Sequence, residues 1–273
     1  MKSRQTVTGN ALKSEMLTEQ STALLKELHL LTNQGQLNAD ARRKLKQVNH
    51  LYQLIVPALT DLSERFTDFQ IVDVGAGKAY LGFILYDLAL QRLGRGQILS
   101  VESRQELMDN GKAIAGRLGF TRMHFMTCEM QNAILPERVH MLTALHACDT
   151  ATDDALIAGI KSAADYIVVV PCCQAEVAQL LKLEKKSELY ELWSHGIHRR
   201  EFGSHLTNVL RVLALESFGY TVTVTELIGW EHSLKNELIL AKRVQRENKM
   251  ARQKLQILLK QIDIKPKIIS ALF

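Results

Sequence analysis

Over the first 69 residues apolar positions recur at helical spacing, and no convincing strand interrupts them. Two stretches carry the pattern, "ALKSEMLTEQSTALLKELHLL" and "ADARRKLKQVNHLYQLIVPALTDL". In the second, Leu45, Val48, Leu51, Ile55, Leu59 and Leu62 share one face, Asn38 is placed to cap its start, and "NQGQ" supplies the preceding turn. Pro57 should kink this helix, because proline removes a main-chain donor. Residues 1–69 therefore read as a helical appendage that covers either a sheet or a substrate cleft.

From residue 70 the period changes. Short β-rich runs, "FQIVDVG", "QILSVES", "MHFMTC", "VHMLTALHA" and "DYIVVVP", alternate with segments such as "YLGFILYDLALQRLG" and "RQELMDNGKAIAGRLG" that are long enough for crossover helices. That alternation predicts a parallel sheet covered by helices on both faces. The last two runs, "YTVTVTELI" and "NELILAK", leave only "GWEHSLK" between them, too short for a right-handed parallel crossover, so they should pair as an antiparallel hairpin. An ordinary dinucleotide-binding sheet would stay parallel. The expected divisions are residues 1–69, 70–243 and 244–273.

Length and composition agree with one large α/β core plus an attachment: 273 residues, 47% hydrophobic. No run of about 18 uncharged apolar residues occurs, and "MKSRQTVTGN" lacks the apolar stretch of a signal peptide, so the expectation is a soluble, cytoplasmic protein with no membrane partner. Cys128, Cys148, Cys172 and Cys173 form no C-x-x-C pair and are expected as reduced thiols. Charge matters only once it is located. From Lys242 onward nine basic residues face two acids, so this tail carries +7 within a chain total of +5, and the body is slightly acidic. Such a tail is either a solvated helix face or a contact for RNA or another polyanion.

The stretch "IVDVGAGKAY" ends a buried strand in a bare turn. A dinucleotide site would require G-x-G-x-x-G, but Tyr80 occupies the third glycine position. Asp73, Gly75 and Gly77 fit acid-x-Gly-x-Gly instead. Glycines there let main-chain N–H groups approach a ligand carboxylate, while the acid receives an ammonium directly or through water. Glu102 closes the next strand, 29 residues after Asp73, where an acid can accept both hydroxyls of a ribose. Ser103 would lie along an adenine edge. Glu129, followed by Met130, sits after the third strand where an acid can meet the adenine amine, or where a loop acid is simply solvated.

These residues resemble the class I S-adenosylmethionine-dependent methyltransferases. The branch most similar contains eukaryotic methyltransferase-like proteins and the glutathione S-transferase C-terminal-domain-containing proteins. The resemblance covers roughly residues 40–243 and rests on "DVGAGKAYLG", on "ALHACDTATDDAL" with "VVVPCCQ", and on "LKNELIL". Ala79 and Gly82 stand where the branch has a glycine and a serine, and Asp149 where a glycine is common. The resemblance implies a Rossmann-like α/β domain with a seven-stranded sheet, five parallel strands plus an antiparallel C-terminal hairpin, behind an N-terminal helical cap. It implies S-adenosylmethionine as cofactor, held by Asp73, Gly75, Ala76, Gly77, Lys78, Glu102, Ser103, Glu129, Met130 and His146. Whether Lys78 reaches cofactor, acceptor or only Asp149 stays open.

In a parallel sheet the loops at strand C-terminal ends gather together. "LHACDTATD" and "PCCQ" therefore make His146, Cys148, Asp149 and Cys172, with Cys173 beside it, the candidates for chemistry. His146 is a base or orienter, or a histidine bonded to a neighbouring strand or to the methionyl carboxylate. The thiols admit attack on a pyrimidine ring, a zinc site with His146, or plain packing beside the cofactor. "SHGIHRREFGSHL" adds His195, His198, Arg199, Arg200 and His205, which either contact an anionic acceptor or cap a helix and pair with Glu201. That helix should bury Leu206, Val209, Leu210 and Leu213. Trp230, Glu231 and His232 either close over a cleft or pack. RNA is the expected acceptor, through the basic tail and the Arg199/Arg200 loop, with small molecules and protein side chains as alternatives. A non-catalytic adaptor keeping the fold is the rival reading.

Overall fold

In the computed structural model, which describes residues 15–145, 147, 149–171, 174–227 and 237–273, the long N-terminal helix forms where its apolar stripe predicts. The Asn38 side chain accepts the Ala41 N–H at 2.9 Å and opens α2 (Ala39–Arg65). All six predicted stripe residues are buried. Pro57 lies inside the helix without ending it. Ahead of it, Ser21 caps the short α1 (Thr22–Glu27) by accepting the Leu24 N–H.

The chain divides into two compact units, residues 1–134 with 227–234, and residues 135–226 with 235–273. The boundaries expected at 69/70 and 243/244 do not coincide with these limits. In the first unit β1 (Gln70–Val74), β2 (Gln97–Glu102) and β3 (Met123–Thr127) pair in parallel, Asp73 opposite Ser100 and Glu102 opposite Thr127. The first crossover begins as α3 (Tyr80–Leu85), passes through a π-helical turn (Tyr86–Leu90) and closes as α4 (Gln91–Leu93); the second is α5 (Gln105–Leu118). Both crossovers step the same way along the sheet, so their right-handedness puts both on one face. The N-terminal helices lie on that helix layer. Tyr52 donates to the Leu88 carbonyl at 3.2 Å, Asp87 accepts the Ser21 N–H at 2.9 Å, and Arg117 pairs with Glu27 at 2.6 Å.

In the second unit β4 (Met141–Ala144) and β5 (Tyr166–Val169) are parallel. β7 (Glu237–Arg243) runs antiparallel to β5 and to β6 (Tyr220–Glu226), which is the predicted hairpin. The strand order is β3-β2-β1-β4-β5-β7-β6, so the expected seven-stranded mixed sheet is the observed one. Around the second set of strands lie α6 (Thr150–Lys161), α7 (Glu176–Leu183) and α8 (Gly196–Ser217).

The basic tail is folded. Asn248 caps α9 (Lys249–Ile262), whose Ala251, Leu255 and Ile262 are buried, and Pro266 precedes α10 (Lys267–Leu272). The Arg252 guanidinium sits over the rings of Phe218 and Phe273, at 5.7 and 5.0 Å, and Lys267 pairs with Asp154 at 2.6 Å. Arg246, Lys249, Lys254, Lys260 and Lys265 remain exposed. Among the described residues no helix is long and apolar enough to cross a membrane.

Helices α7 and α8 touch where Gly203 has no side chain: a Cβ there would lie 2.8 Å from the Ala178 Cα and 2.9 Å from its nitrogen. Backbone cannot swing aside as a side chain can. Gly203→Ala is therefore expected to cost about 1–3 kcal/mol, read as a lower urea midpoint with an unchanged slope.

Candidate functional site

After β1 the chain turns through three left-handed residues, Gly75 (φ 60°), Gly77 (φ 57°) and Ala79 (φ 55°). The turn is pinned by Ala76 N–H to the Val101 carbonyl (3.1 Å) and Ala79 N–H to the Ala76 carbonyl (2.8 Å). Ala79 stands where the resembling branch carries glycine, and its positive φ explains that glycine: a Cβ in this region costs about 1–2 kcal/mol. The close helix-to-strand contact that a dinucleotide fingerprint assigns to its third glycine falls here on Gly82. A Cβ on Gly82 would lie 3.1 Å from Met123 Cε and 3.2 Å from Ser100 Oγ. Tyr80 is thus free to point elsewhere, and its hydroxyl donates to the Leu28 carbonyl at 3.2 Å.

Glu102, at the end of β2, faces this turn. Its Oε2 accepts the Gly77 N–H at 2.9 Å. Its Oε1 accepts Arg104 Nε at 2.9 Å, Arg104 N–H at 3.3 Å and Ser103 Oγ at 3.3 Å. Burial alone would raise this carboxyl, but the hydrogen bonds from Arg104 and Gly77 outweigh it and hold Glu102 below the ordinary glutamate range. Gly77 leaves bare the side toward this pair, since a Cβ on it would stop 3.9 Å from the Arg104 guanidinium. A carboxylate held charged beside a glycine turn fits a nucleoside ligand with ribose hydroxyls to donate.

The other predicted cofactor residues sort by exposure. Asp73 is 1% exposed, beneath the turn rather than on its surface. Gly75, Lys78, Ser103 and Glu129 are exposed; Ala76 and Met130 are half-buried. Glu129 opens a short 3-10 turn, with its carbonyl accepting the Asn132 N–H. A cavity of about 530 Å³ lies elsewhere in this unit, against Ser21, Asp87, Arg92, Arg117 and Phe120, and belongs to the N-terminal helix layer.

Of the candidates for chemistry, His146, Cys148, Cys172 and Cys173 lie outside the described residues, as do Trp230, Glu231 and His232. Asp149 is described, and it braces. Its Oδ1 accepts the main-chain N–H groups of Ala175 (2.9 Å) and Glu176 (3.2 Å), tying the loop after β4 to the loop after β5. Its backbone is strained, at φ 50° and ψ −119°, which accounts for the glycine common at this position.

Behind Asp149 lies a polar cluster that the hydrophobic pattern does not reveal. Arg211 on α8 is completely buried and pairs with Asp153 at 2.7 Å, with side-chain exposures of 0% and 2%. Its other donors go to the Asp149 carbonyl (2.8 Å) and Asn208 Oδ1 (3.2 Å). Asn208 in turn donates to Glu237 (2.8 Å) and accepts from Gln174 (3.3 Å), which accepts from Ser204 (2.8 Å). The expected apolar face of α8 holds for Leu206 and Leu210, while Val209 and Leu213 are only half-buried. Asn208 and Arg211 turn inward with them.

The Arg199/Arg200 segment expected as a loop ahead of the helix is instead the beginning of α8, because the helix starts right after His195; it is exposed at His195, Ile197, His198, Arg200 and His205. The His195 and His198 rings meet edge-on at 5.6 Å, Arg199 donates to the Trp193 carbonyl at 3.4 Å, and Arg200 pairs with Glu201 at 3.0 Å. Trp193, fully buried and stacked on Phe202, anchors the segment.

Residues 43–180 match a family described as a methyltransferase domain. Glutathione S-transferase C-terminal domain-containing proteins of Bos taurus and Homo sapiens are 25% and 24% identical to this chain over 230 residues, 76% of it. The chain spans about a third of the length of these curated relatives, 34% in each case. Among solved structures, a geranyl diphosphate methyltransferase in complex with SAM is 16% identical, covering 81% of this chain and 91% of that one at a TM-score of 0.48. An rRNA methylase from Streptococcus thermophilus is 9% identical, covering 65% and 88% at 0.45.

Removing one member of the buried pair strands the other. Arg211→Leu is expected to destabilise the protein by about 3–5 kcal/mol, and the double variant Arg211→Leu/Asp153→Leu to recover most of that loss in urea unfolding. Equal losses in the single and double variants would mean that the pair is not what holds this region.

Proposed function

The chain belongs to the methyltransferase domain family, and on that premise we propose that it is an S-adenosylmethionine-dependent methyltransferase whose acceptor is RNA. The observation that carries the cofactor reading is the Glu102 carboxylate, held charged at the end of β2 and fastened to the Gly77 N–H of the glycine turn. In this reading Glu102 takes the ribose hydroxyls, the turn N–H groups other than those of Ala76, Gly77 and Ala79, which are already bonded, meet the methionyl carboxylate, and Asp73 receives the ammonium from below through water. Glu129 and Met130 border the adenine. The bound cofactor supplies a methyl group made electrophilic by its sulfonium. The protein contributes proximity and orientation, the larger part of catalysis for an in-line displacement.

Where the acceptor must lose a proton, the reading assigns that task to His146, with Cys148 and Cys172 as the remaining reactive groups. Asp149 braces the loops that carry them, because its carboxylate is already committed to two main-chain donors. RNA as acceptor is favoured by the exposed cations Arg246, Lys249, Lys254 and Lys260 along α9 and its approach, and by the exposed His195, His198 and Arg200. Arg252 and Lys267 are excluded from that surface, since both are committed to partners within the fold.

Calorimetry with S-adenosylmethionine and S-adenosylhomocysteine should show binding that Glu102→Ala weakens at least about tenfold, through the loss of hydrogen bonds to both ribose hydroxyls. No binding of either nucleoside by the wild-type protein would end the cofactor reading. For the acceptor, paired reversals Lys254→Glu and Lys260→Glu should weaken RNA binding and flatten its salt dependence by about two phosphate contacts. Reversal is preferable to truncation because α9 buries Leu255 and Ile262. Transfer of labelled methyl into protein or metabolite fractions, with RNA unlabelled, would replace the acceptor.

A further inference from the structure

We propose that Arg104 is a displaceable latch on the ribose site, its guanidinium competing with the ribose hydroxyls for Glu102 and thereby setting cofactor affinity. The inference rests on the placement of the nucleoside at Glu102. It adds a residue that neither the motif nor the family match assigns to the site.

A carboxylate offers about four lone-pair positions. Glu102 already accepts from four donors: Gly77 N–H, Arg104 N–H, Arg104 Nε and Ser103 Oγ. Two of these are main-chain groups fixed by the turn and by the start of α5. The Ser103 contact is long, at 3.3 Å, and a hydroxyl rotates freely. The Arg104 side chain is the large movable donor. It is 61% exposed, against 8% for the Glu102 carboxylate it covers. Its guanidinium also borders the open side of Gly77, where a Cβ would come within 3.9 Å of it. A ribose entering over the glycine turn meets that guanidinium first, and its hydroxyls can bond Oε1 only when the guanidinium leaves. The departing charge has a second acid within Coulombic reach, Glu106 in the first turn of α5.

The latch has a second effect. Glu102 is buried, and burial by itself pushes its carboxyl up; Arg104 is the first of the influences that bring it below the ordinary range. Other titratable groups on the surrounding elements are Asp73 and Lys78 from β1 and its turn, Glu106 from α5, and Cys128 beyond β3, whose thiol burial pushes up and keeps neutral in acid. With the folded carboxyl depressed, its charged form persists down through the ordinary glutamate range and is lost only as pH falls through the lowered value. Without the Arg104 side chain the carboxyl loses the first of these influences and its pKa moves up.

The competition has a definite sign, and that sign is the test. Affinity for S-adenosylhomocysteine is measured by calorimetry from about pH 8 down to about pH 5 for the wild type, Arg104→Met and Arg104→Lys. At the alkaline end Arg104→Met should bind about threefold tighter, the competing exposed ion pair being gone. As pH falls that advantage should hold or narrow and never reverse, because the guanidinium has left Glu102 in the bound state and protonation of the free carboxylate competes with the nucleoside in both proteins. Arg104→Lys, which keeps the charge without the Nε donor, should fall between the two. Urea midpoints should stay equal, since the side chain is exposed. Equal or weaker binding by Arg104→Met at alkaline pH, or a reversal in acid, overturns the latch while leaving the cofactor site in place. Failure of the wild type to bind the nucleoside at any pH overturns both.

Discussion

A charge that cannot reach water has to be met by the protein around it, and in each unit of this molecule such a charge fixes loops at the sheet's end. In the second unit it is the Arg211 guanidinium, completely buried and spending its donors on Asp153, Asn208 and the Asp149 carbonyl. Burial raises the Asp153 carboxyl and the guanidinium pulls it back, so each partner needs the other in order to stay charged in the interior. Through Asn208 and Gln174 the same cluster reaches the segment after β5 and the start of β7. Position, more than strength, is what such a network confers: a fork of fixed N–H directions admits few arrangements of the loops it touches.

In the first unit the buried charge that faces the glycine turn is Glu102, and its partners are more exposed. Two main-chain N–H groups hold the carboxylate, while the guanidinium above it is largely in solvent. The difference suits the tasks. A brace loses by giving way, and a binding site must give way to its ligand. Glu102 sits at a strand end, and Arg211 reaches from α8 to the carbonyl of Asp149 in the loop after β4. The Rossmann-like layout supplies the positions, and the polar groups placed there decide the chemistry.

Backbone conformation explains departures that spacing alone could only note. Ala79 and Asp149 both stand where glycine is usual, and both have positive φ. Ala79 takes the strain without compensation in its side chain, whereas Asp149 turns the same conformation to use by aiming its carboxylate at the N–H groups opening α7. Gly82 shows the converse. It replaces a serine of the branch pattern and lets α3 approach Ser100 and Met123, so the close contact survives although Tyr80 displaced the usual glycine.

The five parallel strands, the antiparallel hairpin and the placement of Asp73, Gly75, Gly77 and Glu102 at strand ends and in the turn were legible in the chain, because period and turn chemistry are local properties, whereas the strand order was decided by the tertiary structure. The Asn38 cap and the buried stripe of α2 were legible for the same reason. Arg104 was not, since an arginine two residues after a strand acid has no meaning until the strand end, the turn and the carboxylate are brought together. Nor was the inward face of α8. Hydrophobic pattern assigns Asn208 and Arg211 to water, and only the partners gathered from residues 149, 153, 174 and 237 make their burial affordable. The basic tail divides along the same line. Its charge was countable from the sequence, but which cations stay in solvent was decided by Phe218, Phe273 and Asp154, residues distant in the chain that claim Arg252 and Lys267 by contact.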